Sequence, residues 1–241
     1  MESEFRLKNI VLKPNDRIAI VGKTGSGKTS FAITLAGTYA RVLPKPWEVW
    51  WLDKKGDSKD VESLRKWGFR NALDSKDLAT SKIPHAQYWP IRSRKGMPGI
   101  AAQAQSIIRL GYEKRHVVIV VDEYTQVVPS RINPGNALLD VFTRGRGLNV
   151  GLIGLTQEPV YVPRLLLSQA SHQALFSVTY QHDIDYMRKM HKSYYPPSKN
   201  GDIHGFYWTW IDGNSDLLYF KHQRAFYESL LIGNRKEKED G

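Results

Sequence analysis

Three short stretches of the chain hold residue types at spacings that can do chemistry. The first, 22-GKTGSGKTSF-31, follows the apolar run 17-RIAIV-21, and its Gly22, Gly27, Lys28 and Thr29 fit the pattern G-x-x-x-x-G-K-[ST]. Glycines at these places let the backbone wrap closely. The segment Gly22, Lys23, Thr24, Gly25, Ser26, Gly27, Lys28, Thr29 and Ser30 can then turn its N–H groups toward a phosphate chain. The N-terminus of a following helix adds partial positive charge. Lys28 is expected to bridge β- and γ-phosphates and the Thr29 hydroxyl to ligate Mg²⁺, so the implied ligands are ATP and Mg.

The second stretch, 116-HVVIVVDE-123, closes an apolar run on two carboxylates. Asp122 is positioned to hold the water shell of the metal, and Glu123 to reach the water that attacks the γ-phosphate. An acidic pair also opens many helices, so its meaning comes from the glycine-rich loop beside it. Together the two stretches point to hydrolysis of a nucleoside triphosphate. A kinase would need no such base, because its acceptor brings its own hydroxyl.

The third stretch, 143-TRGRGLNVGLIGLTQEP-159, reads as a strand ending on Gln157. In a parallel sheet, an amide at the C-terminal end of the strand beside the phosphate-loop strand lies near the γ-phosphate. There Gln157 senses the phosphate and orients the attacking water. Arg144 and Arg146 stand just upstream, at the exit of the preceding helix.

These residues need a scaffold, and the hydropathy pattern supplies one. Apolar runs alternate with helix-period segments, the α/β pattern of a mostly parallel sheet flanked by helices. Strands are predicted at 17–21, 48–52, near 87–91, 116–123, 150–155 and 174–179. Helices are predicted over 28–42, 99–114, 134–146, 163–170 and 183–190. In 205-GFYWTWIDGNSDLLYF-220, two aromatic runs flank Asp212-Gly213-Asn214, which predicts an antiparallel hairpin at the sheet edge. One domain over residues 1–232 and a charged tail over 233–241 are expected. The Trp47, Trp50, Trp51 and Tyr207, Trp208, Trp210 groups read as core or subunit contacts.

Composition narrows the function classes. Cysteine is absent from the 241 residues, which excludes disulfides, thiolate metal sites and thiol catalysis. The longest aliphatic run, 117-VVIVV-121, is far short of a membrane span, and the first residues do not read as a signal peptide. A cytoplasmic protein without direct membrane insertion is expected. The seven histidines have no ligand spacing, so no metal beyond nucleotide-bound Mg²⁺ is expected. The net charge of +11 points to a polyanionic partner, and residues 54–95 hold 11 Lys/Arg against 5 Asp/Glu, or +6 of that excess.

The ordered set GKTGSGKT, 50-WWLDKKGD-57, VVIVVDE and RGRGLNVGLIGLTQEP resembles the FtsK/HerA superfamily of DNA-pumping ATPases. The resemblance covers about residues 15–190. It implies a RecA-like, additional-strand P-loop NTPase acting on double-stranded DNA as a homomeric ring, a pentamer or hexamer. An arginine of one subunit, Arg146 or else Arg144, would reach the γ-phosphate held by its neighbour. Among the branches, the chain is most similar to the genome-packaging ATPases of double-stranded-DNA viruses, which implies work in the host cytoplasm or at the packaging vertex of the virion. A capsid portal or vertex protein is then a further partner. Grip on DNA phosphates is assigned to Lys54, Lys55 and Lys59 and to Arg92, Arg94 and Lys95 in 92-RSRKGMPG-99. The alternatives are a plasmid or mobile-element translocase and a nucleotide-gated DNA-anchoring scaffold. An ABC-type ATPase is weaker, because 101–118 lacks an LSGGQ-like signature. A P-loop kinase is weaker still, given the acidic pair and the late motif.

Overall fold

The computed structural model describes residues 10–53, 59–72, 75–80, 85–88, 97–128, 130, 132–210, 217–228 and 230–232. The chain begins with β1 (Ile10–Leu12), β2 (Arg17–Val21), α1 (Lys28–Val42), β3 (Glu48–Leu52), α2 (Lys59–Lys66), β4 (Arg70–Asn71) and α3 (Ser75–Ala79). Next come β5 (His85–Tyr88), α4 (Met97–Lys114), β6 (Val117–Val121), α5 (Asn136–Arg144) and β7 (Val150–Thr156). The last elements are α6 (Arg164–Ser168), β8 (His172–Phe176), α7 (Gln181–Met190), β9 (Phe206–Trp210), β10 (Leu218–Phe220), α8 (Gln223–Glu228) and β11 (Leu230–Ile232).

Among the described residues, nine strands form one sheet in the order β10-β9-β8-β2-β7-β6-β3-β5-β4. All neighbours from β8 to β4 are parallel, and the hairpin β9–β10 adds the antiparallel edge. The central strands β3, β6 and β7 are buried along their whole length. That is why they read as continuous apolar runs rather than alternating ones. Successive side chains feed opposite layers. Trp50, Ile119 and Leu152 pack with Ile107 and Ile108 of α4, Leu138 and Val141 of α5, and Met187 of α7. Trp51, Val120 and Ile153 pack on the other side with Phe31 and Leu35 of α1, Leu64 of α2 and Phe226 of α8.

The predicted elements fall where expected, with shifts at their ends. The strand predicted near 87–91 is β5, and residues 89–91 lie outside the described part. The helix predicted over 134–146 is shorter, because α5 tightens after Arg144 into a 3-10 turn over Gly145–Leu148 that ends on Asn149 at φ 58. β8 begins two residues earlier than predicted, at His172, because its pairing with β2 runs from Ile18↔His172. The hairpin turn 211–216 and the tail 233–241 lie outside the described residues. No helix among the described residues is long and apolar enough to cross a membrane.

Candidate nucleotide-hydrolysis site

β2 places the glycine-rich loop at the C-terminal end of the sheet, between two strands that hold it. Gly22 donates its N–H to the Thr156 carbonyl at the end of β7 (3.0 Å), and Lys23 to the Ser177 carbonyl after β8 (2.7 Å). Gly25 and Gly27 then take φ 78 and 93, which side chains resist. The loop feeds α1, whose N-cap Gly27 offers no side-chain cap and whose first turn has no acid. A fifteen-residue helix left uncapped in this way keeps its N–H groups for an anion. Lys28 is buried at 6% exposure, and the fully buried Ser26 hydroxyl has no hydrogen-bond partner among the described residues. Thr29 is half-buried, and Thr24, Gly25 and Ser30 are exposed. An uncapped N-terminus, two left-handed glycines and an unsatisfied buried hydroxyl fit a phosphate chain.

The carboxylates reach the same place through β6. Leu52 pairs with Val121, so Asp53 and Asp122 emerge side by side from β3 and β6, both buried. Glu123, 7% exposed, has φ 88 and ψ 94, a backbone conformation that a side chain rarely adopts. A short 3-10 turn, Tyr124–Gln126, follows it. The cause lies across the sheet at Gly154 of β7. A Cβ there would stand 1.7 Å from Cζ of the buried Tyr124. The bare glycine thus lets the Tyr124 ring press against β7 and folds the chain tightly after Asp122. Burial also raises the Tyr124 phenol far above its ordinary value, so it stays neutral.

The result is a carboxylate turned toward β7. Glu123 Oε1 accepts from the hydroxyls of Thr125 (3.0 Å) and Thr156 (3.2 Å). Gln157 follows Thr156, and its Oε1 accepts from the Thr24 hydroxyl of the glycine-rich loop at 2.6 Å. Glu123, Thr125, Gln126, Gln157 and Glu158 line one cleft of about 200 Å³. The additional strand β7, between β2 and β6, brings loop, carboxylate and amide together. Asp122 and Thr29 supply hard oxygen donors of the kind Mg²⁺ takes.

The arginines are elsewhere. Arg144 ends α5 and is exposed, and its side chain has no hydrogen bond or ion pair among the described residues. Arg146 reaches Asp16, 3.4 Å away, and stays 44% exposed. Asp16 precedes β2 and Gly22 follows it, about 20 Å along the strand. Both arginines therefore stand at the end of the sheet opposite their own phosphate loop. Asp16 anchors that end: the Lys13 N–H, the Ser171 hydroxyl and His172 all meet its carboxylate. Burial pushes the Asp16 carboxyl up, but His172, the Lys13 N–H and Arg146 outweigh it and hold the group below its ordinary value. Of the lysines and arginines assigned to DNA, Lys59 is exposed at the start of α2. Lys54, Lys55, Arg92, Arg94 and Lys95 lie outside the described residues.

Sequence reasoning missed Tyr124, Thr125, Thr156 and Asp16. Thr156 was within reach as the residue before Gln157, and the two glycines of 151-GLIG-154 hinted at a close approach.

Among solved structures, the chain is similar to the genome packaging NTPase B204 from Sulfolobus turreted icosahedral virus 2, in complex with AMPPCP. The TM-score is 0.62 at 14% identity, over 88% of this chain and 100% of that one. The chain has the P-loop NTPase fold. B204 of Sulfolobus Turreted Icosahedral Virus, described as a DNA-packaging ATPase, matches this P-loop NTPase fold with TM-score 0.61 and 14% identity, over 88% of this chain and 99% of that one. The cytoplasmic domain of the Type VII secretion ATPase EccC from Thermomonospora curvata gives 0.50 at 16% identity, over 85% of this chain and 23% of that one. No family model matches the chain, and no curated protein matches it.

Proposed function

We propose that this chain hydrolyses ATP to drive double-stranded DNA, as the packaging motor ATPase of a virus. The observation that carries the reading is the single cleft in which Gln157 contacts the phosphate loop through Thr24 while facing Glu123. The fold shared with B204 along its whole length supports the branch.

In this reading the loop N–H groups and Lys28 hold the β- and γ-phosphates. Thr29 and Asp122 would hold Mg²⁺, which would supply positive charge to the phosphate oxygens. Gln157 orients a water in line with the γ-phosphorus, and Glu123 takes its proton as the new P–O bond forms. The bond from the γ-phosphorus to the bridging oxygen breaks, and ADP leaves with that electron pair. Charge on the γ-oxygens needs one more cation, and neither Arg144 nor Arg146 can supply it to its own site across the sheet. One of them, Arg146 or else Arg144, serves instead as the finger for the next subunit of a ring, which makes the hydrolysis site a shared one. Lys54, Lys55, Lys59, Arg92, Arg94 and Lys95 grip DNA phosphates in the ring channel. A capsid portal or vertex protein receives the ring in the host cytoplasm.

The deciding experiment measures ATP turnover with and without duplex DNA while recording mass in solution. DNA-stimulated turnover by an oligomer is expected. Slow turnover by a monomer, indifferent to DNA, would replace the motor with a DNA-anchoring scaffold.

A further inference from the structure

The cleft fixes the direction in which a triphosphate lies. Glu123 and Gln157 follow β6 and β7, on one side of the loop strand β2, so the γ-phosphate points that way. The nucleoside end must then extend over the strand ends on the other side, toward β8, β9 and β10. β9 is antiparallel to β8 and β10 antiparallel to β9, so the start of β9 and the end of β10 lie at the phosphate-loop end of the sheet. Ile203 and His204 stand just before β9, and Lys221, His222 and Gln223 just after β10.

This wall touches the loop directly. The Gln223 side-chain amide donates to the Gly27 carbonyl at 2.9 Å. One turn on, the Tyr227 hydroxyl donates to the Phe31 carbonyl at 2.6 Å, so α8 runs along the first turn of α1. His204 Nδ1 comes within 3.4 Å of where a Cβ on Gly27 would sit. Ile203 is 58% exposed, and His204 is exposed beside it. The His204 imidazole thus stands at the rim of the phosphate cradle with the exposed Ile203 next to it in the chain, and an imidazole with an aliphatic neighbour suits a flat heterocycle, which gains from stacking and apolar contact. Phosphate gains nothing from an isoleucine.

We propose that Ile203 and His204 form the surface on which the nucleobase and ribose of the bound nucleoside triphosphate rest. The proposal rests on the nucleotide-binding reading above and adds the half of the ligand which that reading leaves without contacts.

Calorimetric titration of the full chain with ADP and with inorganic tripolyphosphate tests it, because only ADP carries a nucleoside. Ile203→Ser and His204→Ala change exposed side chains, and an unaltered melting temperature checks the fold. Each is expected to weaken ADP about threefold to tenfold, the loss of one stacking or apolar contact, and to leave tripolyphosphate within about twofold. ADP affinity unchanged in both variants, or an equal loss for both ligands, overturns the assignment. An unsubstituted chain that binds neither ligand overturns the nucleotide reading itself, a separate outcome visible before any variant is made.

Discussion

The Thr156 hydroxyl donates to the Glu123 carboxylate across 3.2 Å, from the end of one buried strand to the second residue past its neighbour. Thr156 also accepts the Glu158 N–H at 3.3 Å, so it joins the carboxylate to the loop that carries Gln157. The groups proposed to activate and orient water thus share one threonine as their brace. Glu123 needs such a brace, since its backbone is held at φ 88.

Thr156→Val keeps the shape and removes the hydroxyl. A hydrogen bond to a charged group contributes about 1.5 kcal/mol, so kcat is expected to fall about tenfold with KM within about twofold. Thr156→Ser should restore most of the rate. A raised KM with kcat intact would assign Thr156 to nucleotide binding instead.

Glu123→Gln leaves the size and removes the proton acceptor. Turnover should drop by at least about a hundredfold while ATP binding persists, the pattern of a lost general base. Lys28→Ala should instead lose binding. Equal turnover by the Gln variant and the unsubstituted chain would move the base elsewhere.

Much of this was legible before any coordinates. The apolar runs 17–21, 48–52 and 117–121 are long and buried, so their pattern survives as strand signal. Motif order alone placed Gln157 beside the loop strand, as the β2–β7 pairing bears out. What stayed hidden depends on contacts distant in sequence. Three-residue β1 pairs with β11 about 220 residues away, a register no local window contains. The Tyr124–Gly154 packing that turns Glu123 toward Thr156 likewise joins two motifs that read as separate. α8 is only six residues long, too short for helical periodicity to mark it, and its role on α1 rests on two side-chain hydrogen bonds.

The arginines yield to a mixing experiment. Arg144→Ala and Arg146→Ala should each be assayed alone and with Lys28→Ala, which keeps its arginines and lacks a working loop. The finger variant is expected to lose at least about a thousandfold and to regain turnover on mixing. Arg146→Ala also breaks the pair between the half-exposed Arg146 and the buried Asp16, a 3.4 Å contact open to solvent on the arginine side, at a cost of about 1 kcal/mol in stability. Arg144→Ala has no such pair to lose. Full turnover in both assembled variants would leave the shared site without a finger.

Asp16 sets an acid limb to stability. Its folded carboxyl lies below the ordinary value, with burial opposing and His172, the Lys13 N–H and Arg146 prevailing. A depressed carboxylate stabilises the fold above its unfolded value of about 3.9, and the contribution fades as pH falls through the folded value. Asp16→Asn should therefore cost about 2 kcal/mol at pH 7, with the deficit narrowing below about pH 4. Denaturant titrations of both chains from pH 3 to 7 measure this. A deficit independent of pH would assign Asp16 a packing role only.

The proposed motor would have to hold any sequence, so its grip is expected on phosphates and should weaken with salt. Each neutralised phosphate adds about −0.9 to the slope of log K against log salt. Replacing Arg92, Arg94 and Lys95 together by alanine removes three cations from 92-RSRKGMPG-99. The slope should become shallower by about 2 to 3, and affinity should fall alike for duplexes of different sequence. Basal turnover without DNA should hold, because the variant keeps Lys28, Glu123 and Gln157. Unchanged duplex binding, or binding indifferent to salt, would remove this loop from the proposed grip and leave Lys54, Lys55 and Lys59 to carry the contact.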